Sequence, residues 1–305
     1  MGRPKGSKNK NKRKKADMPA WEVISNADYR KREGLASTDI KRMMKSFATW
    51  KYFVDNPEEN IDTPSLKFGR AYHKFCLEPY DFDKEYVVSP KFDKRTKEGK
   101  EAYAKFVEDA GDREVIDEET YETLTAMREM LYRTPYVKKL INGEHEKSFF
   151  WTDKKTGIKC KCRPDSFGTL GSGNIIVDLK TCKDAETNAF MRDALKYNYD
   201  VQAAHYTEGL ETIYGKEYAF VFIAQEVKPP YLVNVLQADE YFMQNGREVR
   251  DQLLETYKKC IELDEWPAYN GFAEEKRYIN SLSIPQWLKN AMDYEDAESI
   301  DESEV

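Results

Sequence analysis

Residues 174–181, Asn-Ile-Ile-Val-Asp-Leu-Lys-Thr, place the tightest constraint on what this chain can fold into. A short apolar run with β-branched residues, entered through Gly171-Ser172-Gly173, predicts a buried β-strand. Side chains alternate along a strand, so Asp178 and Lys180 fall on one face. A carboxylate and an ammonium buried together are costly unless they bind something. A divalent metal, water and a phosphate would satisfy them. Just upstream, across a turn-rich segment, Arg163-Pro164-Asp165 supplies a second carboxylate.

The flanking patterns set the architecture. Ser37-Thr38-Asp39 predicts a helix N-cap, and the helix it opens runs through Met43, Met44, Phe47, Trp50 and Tyr52 to Asn56-Pro57. Thr63-Pro64 opens the next, which carries Phe68, Tyr72, His73 and Phe75 and stops at Pro79. A short strand at 86–88 and helices at 98–110 and 117–133 follow. The period then becomes strand-like, predicting strands at 147–153, 158–166 and 174–181. Helices at 187–195 and 201–214, strands at 218–225 and 231–236, a long helix at 238–263 and a last one at 285–292 complete the chain. This order predicts an α/β (α+β) fold, a mixed sheet flanked by helices. The expected division is a disordered basic tail (1–17), a helical N-terminal part (18–135), a core (136–290) and a disordered acidic tail (291–305).

These residues resemble the PD-(D/E)xK nuclease superfamily, with Pro164-Asp165 and Asp178-Leu179-Lys180 as its two halves. The wider pattern is similar to the exonuclease VIII (RecE-type) and RecB-like branch. That likeness is carried by Glu146–Asp153, Cys160–Asp165, Asp178–Thr181 and Gln202-Ala203-Ala204-His205-Tyr206, with Phe68–His73 and Leu77-Glu78-Pro79 upstream. It covers residues 35 to 240. A lone D-x-K triplet would say little; ordered motifs at compatible spacing say much more. The resemblance implies a restriction-endonuclease-like core with helices on both sides and an N-terminal helical extension carrying His73.

Hydrolysis of a phosphodiester needs a polarised phosphate, an activated water and relief of charge on the leaving oxygen, and metal ions supply all three. Asp165 and Asp178 are suitable hard ligands for Mg²⁺. The resemblance implies the main-chain carbonyl of Leu179 as a third ligand, Glu146 as a further acid binding directly or through water, and His73 as a ligand. Glu144 competes for the Glu146 role, and a solvated strand-edge glutamate is the alternative for either. A histidine on an aromatic helix face is otherwise a packed core residue. As a ligand it suits Mn²⁺ better than Mg²⁺, so activity with both ions is expected. Lys180 orients or deprotonates the attacking water, or neutralises charge on the phosphate.

Gln202 and Tyr206 share a helix face. The resemblance places that face beside the metals, whereas the plain alternative is a surface glutamine and a half-buried tyrosine. Thr181 is expected to bond locally. Arg163 touches phosphate or pairs with an acid on the sheet.

The formal net charge of −6 hides opposed ends: residues 1–15 carry eight Lys or Arg, and residues 293–305 carry seven Asp or Glu. Gly2-Arg3-Pro4-Lys5-Gly6 resembles an AT-hook core, although Lys5 stands where a hook has Arg. Arg3 and Lys5 would then enter a minor groove, or simply give salt-sensitive attraction to DNA. The five cysteines include no C-x-x-C pair, and no disulfide framework or iron–sulfur cluster is expected from them. No apolar run approaches ~18 residues, so no membrane association is expected. The basic start is not followed by an apolar segment, which predicts a cytoplasmic protein.

The leading expectation is a metal-dependent exodeoxyribonuclease acting on ends of linear double-stranded DNA. The resemblance implies 5′-to-3′ resection leaving 3′ single strands for recombination, a phage or prophage setting, a single-strand annealing partner and a homo-oligomeric ring. The alternatives are a structure- or sequence-specific endonuclease on the same core, or a non-catalytic DNA-binding protein.

Overall fold

The computed structural model describes residues 20–59, 61–275, 279–286 and 289–290. Arg3, Lys5 and both charged tails lie outside the described residues, as does half of the helix expected at 285–292. The N-terminal half supplies α1 (Asn26–Lys31), α2 (Ser37–Lys45), α3 (Phe47–Asp55), α4 (Pro64–Leu77) and α5 (Phe82–Glu85). Then come α6 (Lys97–Ala110), α7 (Glu118–Arg133) and α8 (Val137–Leu140). Between them, β1 (Tyr86–Ser89) and β2 (Glu114–Asp117) form a small parallel pair.

The central sheet contains β3 (Glu144–His145), β6 (Ser166–Leu170), β7 (Gly173–Cys182), β8 (Tyr218–Glu226) and β9 (Val233–Gln237), side by side in that order. An antiparallel hairpin, β4 (Phe149–Thr152) and β5 (Lys159–Cys162), stands apart from it. Within this sheet only β7 and β8 run parallel, and the crossover this demands is made by α9 (Thr187–Lys196) and α10 (Tyr199–Tyr214). The long α11 (Glu240–Leu263) packs on α10. The expected mixed sheet flanked by helices is therefore what forms.

Alternation along β7 divides the interior in two. Ile175, Val177 and Leu179 pack with Val221, Ile223, Tyr72, Phe75 and Leu124, beneath α4 and α7. Ile176 packs with Phe220, Phe222, Phe149, Ala203 and Leu210, toward the hairpin and α10. Asp178 and Lys180 share the parity of Ile176 and point to this second side. Each fully buried Leu, Ile or Phe contributes roughly 1.5–3 kcal/mol, so the two apolar layers together offset a few buried charges between them.

Two predicted elements divide, each for a local reason. The helix expected from Ser37 to Tyr52 breaks at Ser46, which is extended (φ −174°, ψ 155°) and whose hydroxyl accepts from the Thr49 amide to restart the helix as α3. The strand expected over 158–166 ends at Cys162, because Pro164 cannot donate to a ladder. Through Arg163-Pro164-Asp165 the chain leaves the hairpin and enters the central sheet as β6. The segment that leads in to Ser37 crosses the hairpin, bridging Glu22 to Ser148 and Leu35 to Cys160. No helix among the described residues is long and apolar enough to cross a membrane.

Candidate metal centre

The site lies where two strands part. β6 pairs with β7 only as far as Ser166↔Val177, whereas β7 continues to Cys182. From Asp178 onward the β6-facing edge of β7 has lost its partner. The Asp165 side chain takes the vacated place, and its Oδ2 accepts the Leu179 amide at 2.7 Å. A strand residue's N–H and C=O leave the backbone on the same edge, so the Leu179 carbonyl also faces this gap.

His73 reaches Asp165 from α4, with Nδ1 3.3 Å from Oδ1. Glu146 sits between β3 and β4 in the left-handed region (φ 50°), its amide bonded to the Asp165 carbonyl at 3.3 Å. Ligand atoms of His73, Glu146 and Asp165 all lie within 4.8 Å of one another. Beside them Asp178 is only 1% exposed. Its Oδ1 accepts from Gln202 Nε2 at 2.6 Å, and Lys180 Nζ lies 2.5 Å from Oδ2. The Lys180 ammonium is thus what compensates the buried Asp178 Oδ2, which has no further hydrogen-bond partner among the described residues. A His–Glu–Asp cluster with a further carboxylate, Asp178, beside it is a donor set of oxygens and one imidazole, and it fits a hard divalent cation.

A family model described as "PDDEXK-like domain of unknown function (DUF3799)" matches residues 36–279. The chain belongs to this family. Among solved structures it is similar to a crystal structure of a "Putative exonuclease" from Eubacterium rectale, with 13% identity and a TM-score of 0.57. That match covers 88% of this chain and 98% of the other, and at such identity shows a shared fold. A second similarity, to the crystal structure of SSO0001 (12% identity, TM-score 0.29, covering 67% and 90%), is too slight to carry an argument. No curated protein matches.

The electrostatics of this PDDEXK-like centre are those of a crowded, dehydrated site. Burial and the neighbouring Asp165 push Glu146 up to about 8. Burial works against a charged His73, but Asp165 more than offsets it and raises the imidazole to about 9. Burial likewise opposes the Asp165 carboxylate, and His73 and Lys180 still hold it below the usual range. Asp178 is raised, chiefly by burial. For Lys180 the burial penalty is outweighed by Asp178, which keeps the ammonium protonated.

The predicted residues therefore separate. His73, Glu146 and Asp165 form one cluster; Asp178, Lys180 and Gln202 form a bonded network beside it; the Leu179 backbone joins the two. Glu144 is not in the cluster: it pairs with Phe167 in β3 and reaches Lys147 at 3.4 Å. Tyr206, one turn beyond Gln202, packs beside Phe220, and burial holds its hydroxyl well above the usual range. Arg163 spends its donors elsewhere than expected. It bonds Ser148 Oγ at 2.7 and 3.0 Å and the Ile24 carbonyl at 3.0 Å, clamping the lead-in onto the hairpin. Cys160 and Cys162 are buried in the core. Gly69 gives no unusual closeness: a Cβ there would lie 4.0 Å from Thr181 Oγ1, an ordinary contact.

Sequence reasoning missed Lys41 and Tyr199. Lys41 enters from α2 and donates to Gln202 Oε1 at 2.9 Å, the oxygen that Lys180 also reaches at 3.3 Å. Both ammoniums lie over the Tyr199 ring, 4.8 and 4.7 Å from its centroid. Burial, then repulsion from Lys180, lowers Lys41 to about 7. Its one sequence signal was its place four residues after Ser37, on the side of α2 turned inward.

Sequence reasoning also left His205 without a role. Its Nε2 faces the carbonyls of Lys161 (3.1 Å) and Leu35 (3.2 Å), so that nitrogen carries the proton, and Nδ1 accepts from Arg250. Burial and Arg250 push it down to about 3. Arg250 in turn pairs with Asp153 at 2.9 Å, both almost fully buried. This lattice fixes α10, and with it Gln202, against β5 and the start of α2.

Proposed function

We propose that the protein is a metal-dependent exodeoxyribonuclease acting on the ends of linear double-stranded DNA. The observation that carries this reading is the meeting of Asp165, Asp178 and Lys180 with His73 and Glu146 at the parting of β6 and β7. His73, Glu146, Asp165, Asp178 and the Leu179 carbonyl would hold Mg²⁺ or Mn²⁺. Such an ion, when bound, polarises the phosphate, activates water and relieves charge on the leaving oxygen. Lys180, kept protonated by Asp178, presents positive charge where negative charge builds up on the phosphate. Gln202 holds Asp178 and Lys180 in register by bonding both. Lys41 donates to the same Gln202 oxygen, and with its value lowered to about 7 it adds a second positive charge on that side only below neutral pH.

The motif likeness to the RecE-type branch supports 5′-to-3′ resection that leaves a 3′ single strand for recombination. It also supports a phage or prophage setting in a cell's cytoplasm, a single-strand annealing partner and a ring of identical subunits. Arg3 and Lys5 would add salt-sensitive affinity for DNA. The test is digestion of a linear duplex labelled at one 5′ end or internally, beside nicked and closed circles. Early loss of the 5′ label with circles spared is the expected result. Cutting of closed circles would instead mean an endonuclease.

A further inference from the structure

A cavity of about 980 Å³ opens at the C-terminal end of β7, immediately past Lys180. Tyr199, the ring beneath Lys180 and Lys41, is part of its lining, so the cavity and the metal centre are contiguous. Its surfaces are of two kinds. From α7 and β7 come the hydroxyls of Thr120, Thr123 and Thr181; from the joint between α9 and α10 and the start of α10 come the rings of Tyr197 and Tyr199, with the buried Phe190 of α9 behind them. Tyr197 is 49% exposed and Leu66, also lining the cavity from α4, is 57% exposed. Apolar surface left open in a recess beside a reactive centre marks a place for a ligand.

The charges select among ligands. The lining carries two lysines, Lys67 and Lys183, against three acids, Glu114, Asp117 and Asp193. Such a recess does not attract a phosphate chain. The ammoniums of Lys41 and Lys180 lie instead over the Tyr199 ring, outside the lining. Rings offer stacking to any nucleobase, and hydroxyls can donate to or accept from any base edge.

We propose that the cavity is a nucleobase subsite, taking unpaired bases of a DNA strand whose backbone lies at the Asp165–Lys180 centre. The proposal rests on the nuclease reading above for the placement of the backbone. It makes the cavity sequence-tolerant, because stacking requires only a flat ring. It also makes the centre act on a strand already freed from its complement.

The experiment is fluorescence anisotropy in EDTA, where no metal-dependent cleavage occurs. It compares a labelled single-stranded oligonucleotide with one of equal length built from abasic residues. The wild type should prefer the strand with bases by roughly tenfold, the scale of one aromatic stack. Tyr197→Ala should lose most of that preference and leave abasic binding unchanged, while Tyr197→Phe keeps it. Leu66→Ala is the second variant should Tyr197→Ala not fold. Equal affinity of the wild type for both strands, binding of neither, or a folded Tyr197→Ala that keeps the preference would each overturn the subsite. Cleavage of linear duplex is scored separately. Cleavage without base preference removes the subsite alone; base preference without cleavage removes the nuclease reading and leaves the cavity as a binding site for bases.

Discussion

Loading a divalent ion at His73, Glu146 and Asp165 must expel protons, and the structure fixes how many. Metal ligands bind deprotonated. Without metal, Glu146 titrates at about 8 and His73 at about 9, while Asp165 is already ionised. At pH 7 Glu146 and His73 are then both mostly protonated, so each ion releases between one and two protons. The apparent association constant should climb nearly 100-fold from pH 6 to 7, about tenfold from pH 8 to 9, and level off above that. Titration calorimetry with Mn²⁺ in two buffers of different ionisation enthalpy reads the proton count directly. Glu146→Gln should reduce the count at pH 7 to about one and remove the step near pH 8. A count near zero in the wild type, or an unchanged count in Glu146→Gln, would refute the placement of these ligands.

Glu146 and His73 also weigh on the pH dependence of the metal-free fold, against His205 and Lys41, whose lowered values add stability as pH rises through about 3–6.5 and 7–10.5. Glu146 and His73 have folded-state values above their ordinary ones, so the native state binds the extra protons and their contribution to stability falls as pH rises. For Glu146 the loss runs from its ordinary 4.5 to about 8, and for His73 from 6.5 to about 9. Below pH 6.5 His205 offsets Glu146, and above pH 8 Lys41 offsets His73, so the melting temperature in EDTA should drop between about pH 6.5 and 8, and less steeply in Glu146→Gln. A rising or flat profile would contradict it. Arg250→Met should cost about 3–5 kcal/mol, because it strands a buried Asp153 carboxylate; urea denaturation with an unchanged midpoint would exclude this. Lys41→Met should slow hydrolysis roughly 10- to 100-fold through Gln202, without loss of thermal stability. Wild-type rates in that variant would show Lys41 to be a bystander.

How far the sequence revealed this molecule depended on the range of the forces involved. The strand carrying Asp178 and Lys180, the helix Pro64–Leu77 with its Thr63 cap, and the long helix from Glu240 were legible because period and caps are local signals. The break at Ser46 was missed because apolar periodicity runs straight through it, while a single hydroxyl decides the cap. The split at Arg163-Pro164-Asp165 was written in the proline, yet where the two halves went was a matter of tertiary pairing. The choice of Glu146 over Glu144 turned on one left-handed residue, a backbone state no pattern of residue types announces. Lys41 lies 161 positions from Gln202, and the Arg250–Asp153 pair spans 97, distances over which a single sequence carries no pairing information. Arg163 looked like a phosphate contact for want of knowing that the lead-in would fold across it.

The central claim is that the parting of β6 and β7 builds a metal-dependent phosphodiesterase. The most direct measurement is hydrolysis of an internally labelled linear duplex by the full chain with Mn²⁺, Mg²⁺ or EDTA, beside Asp178→Asn. The account predicts release of nucleotides with either metal, none in EDTA, and a silent but folded variant. Hydrolysis that persists in EDTA or in the variant would contradict it, as would intact DNA under both metals.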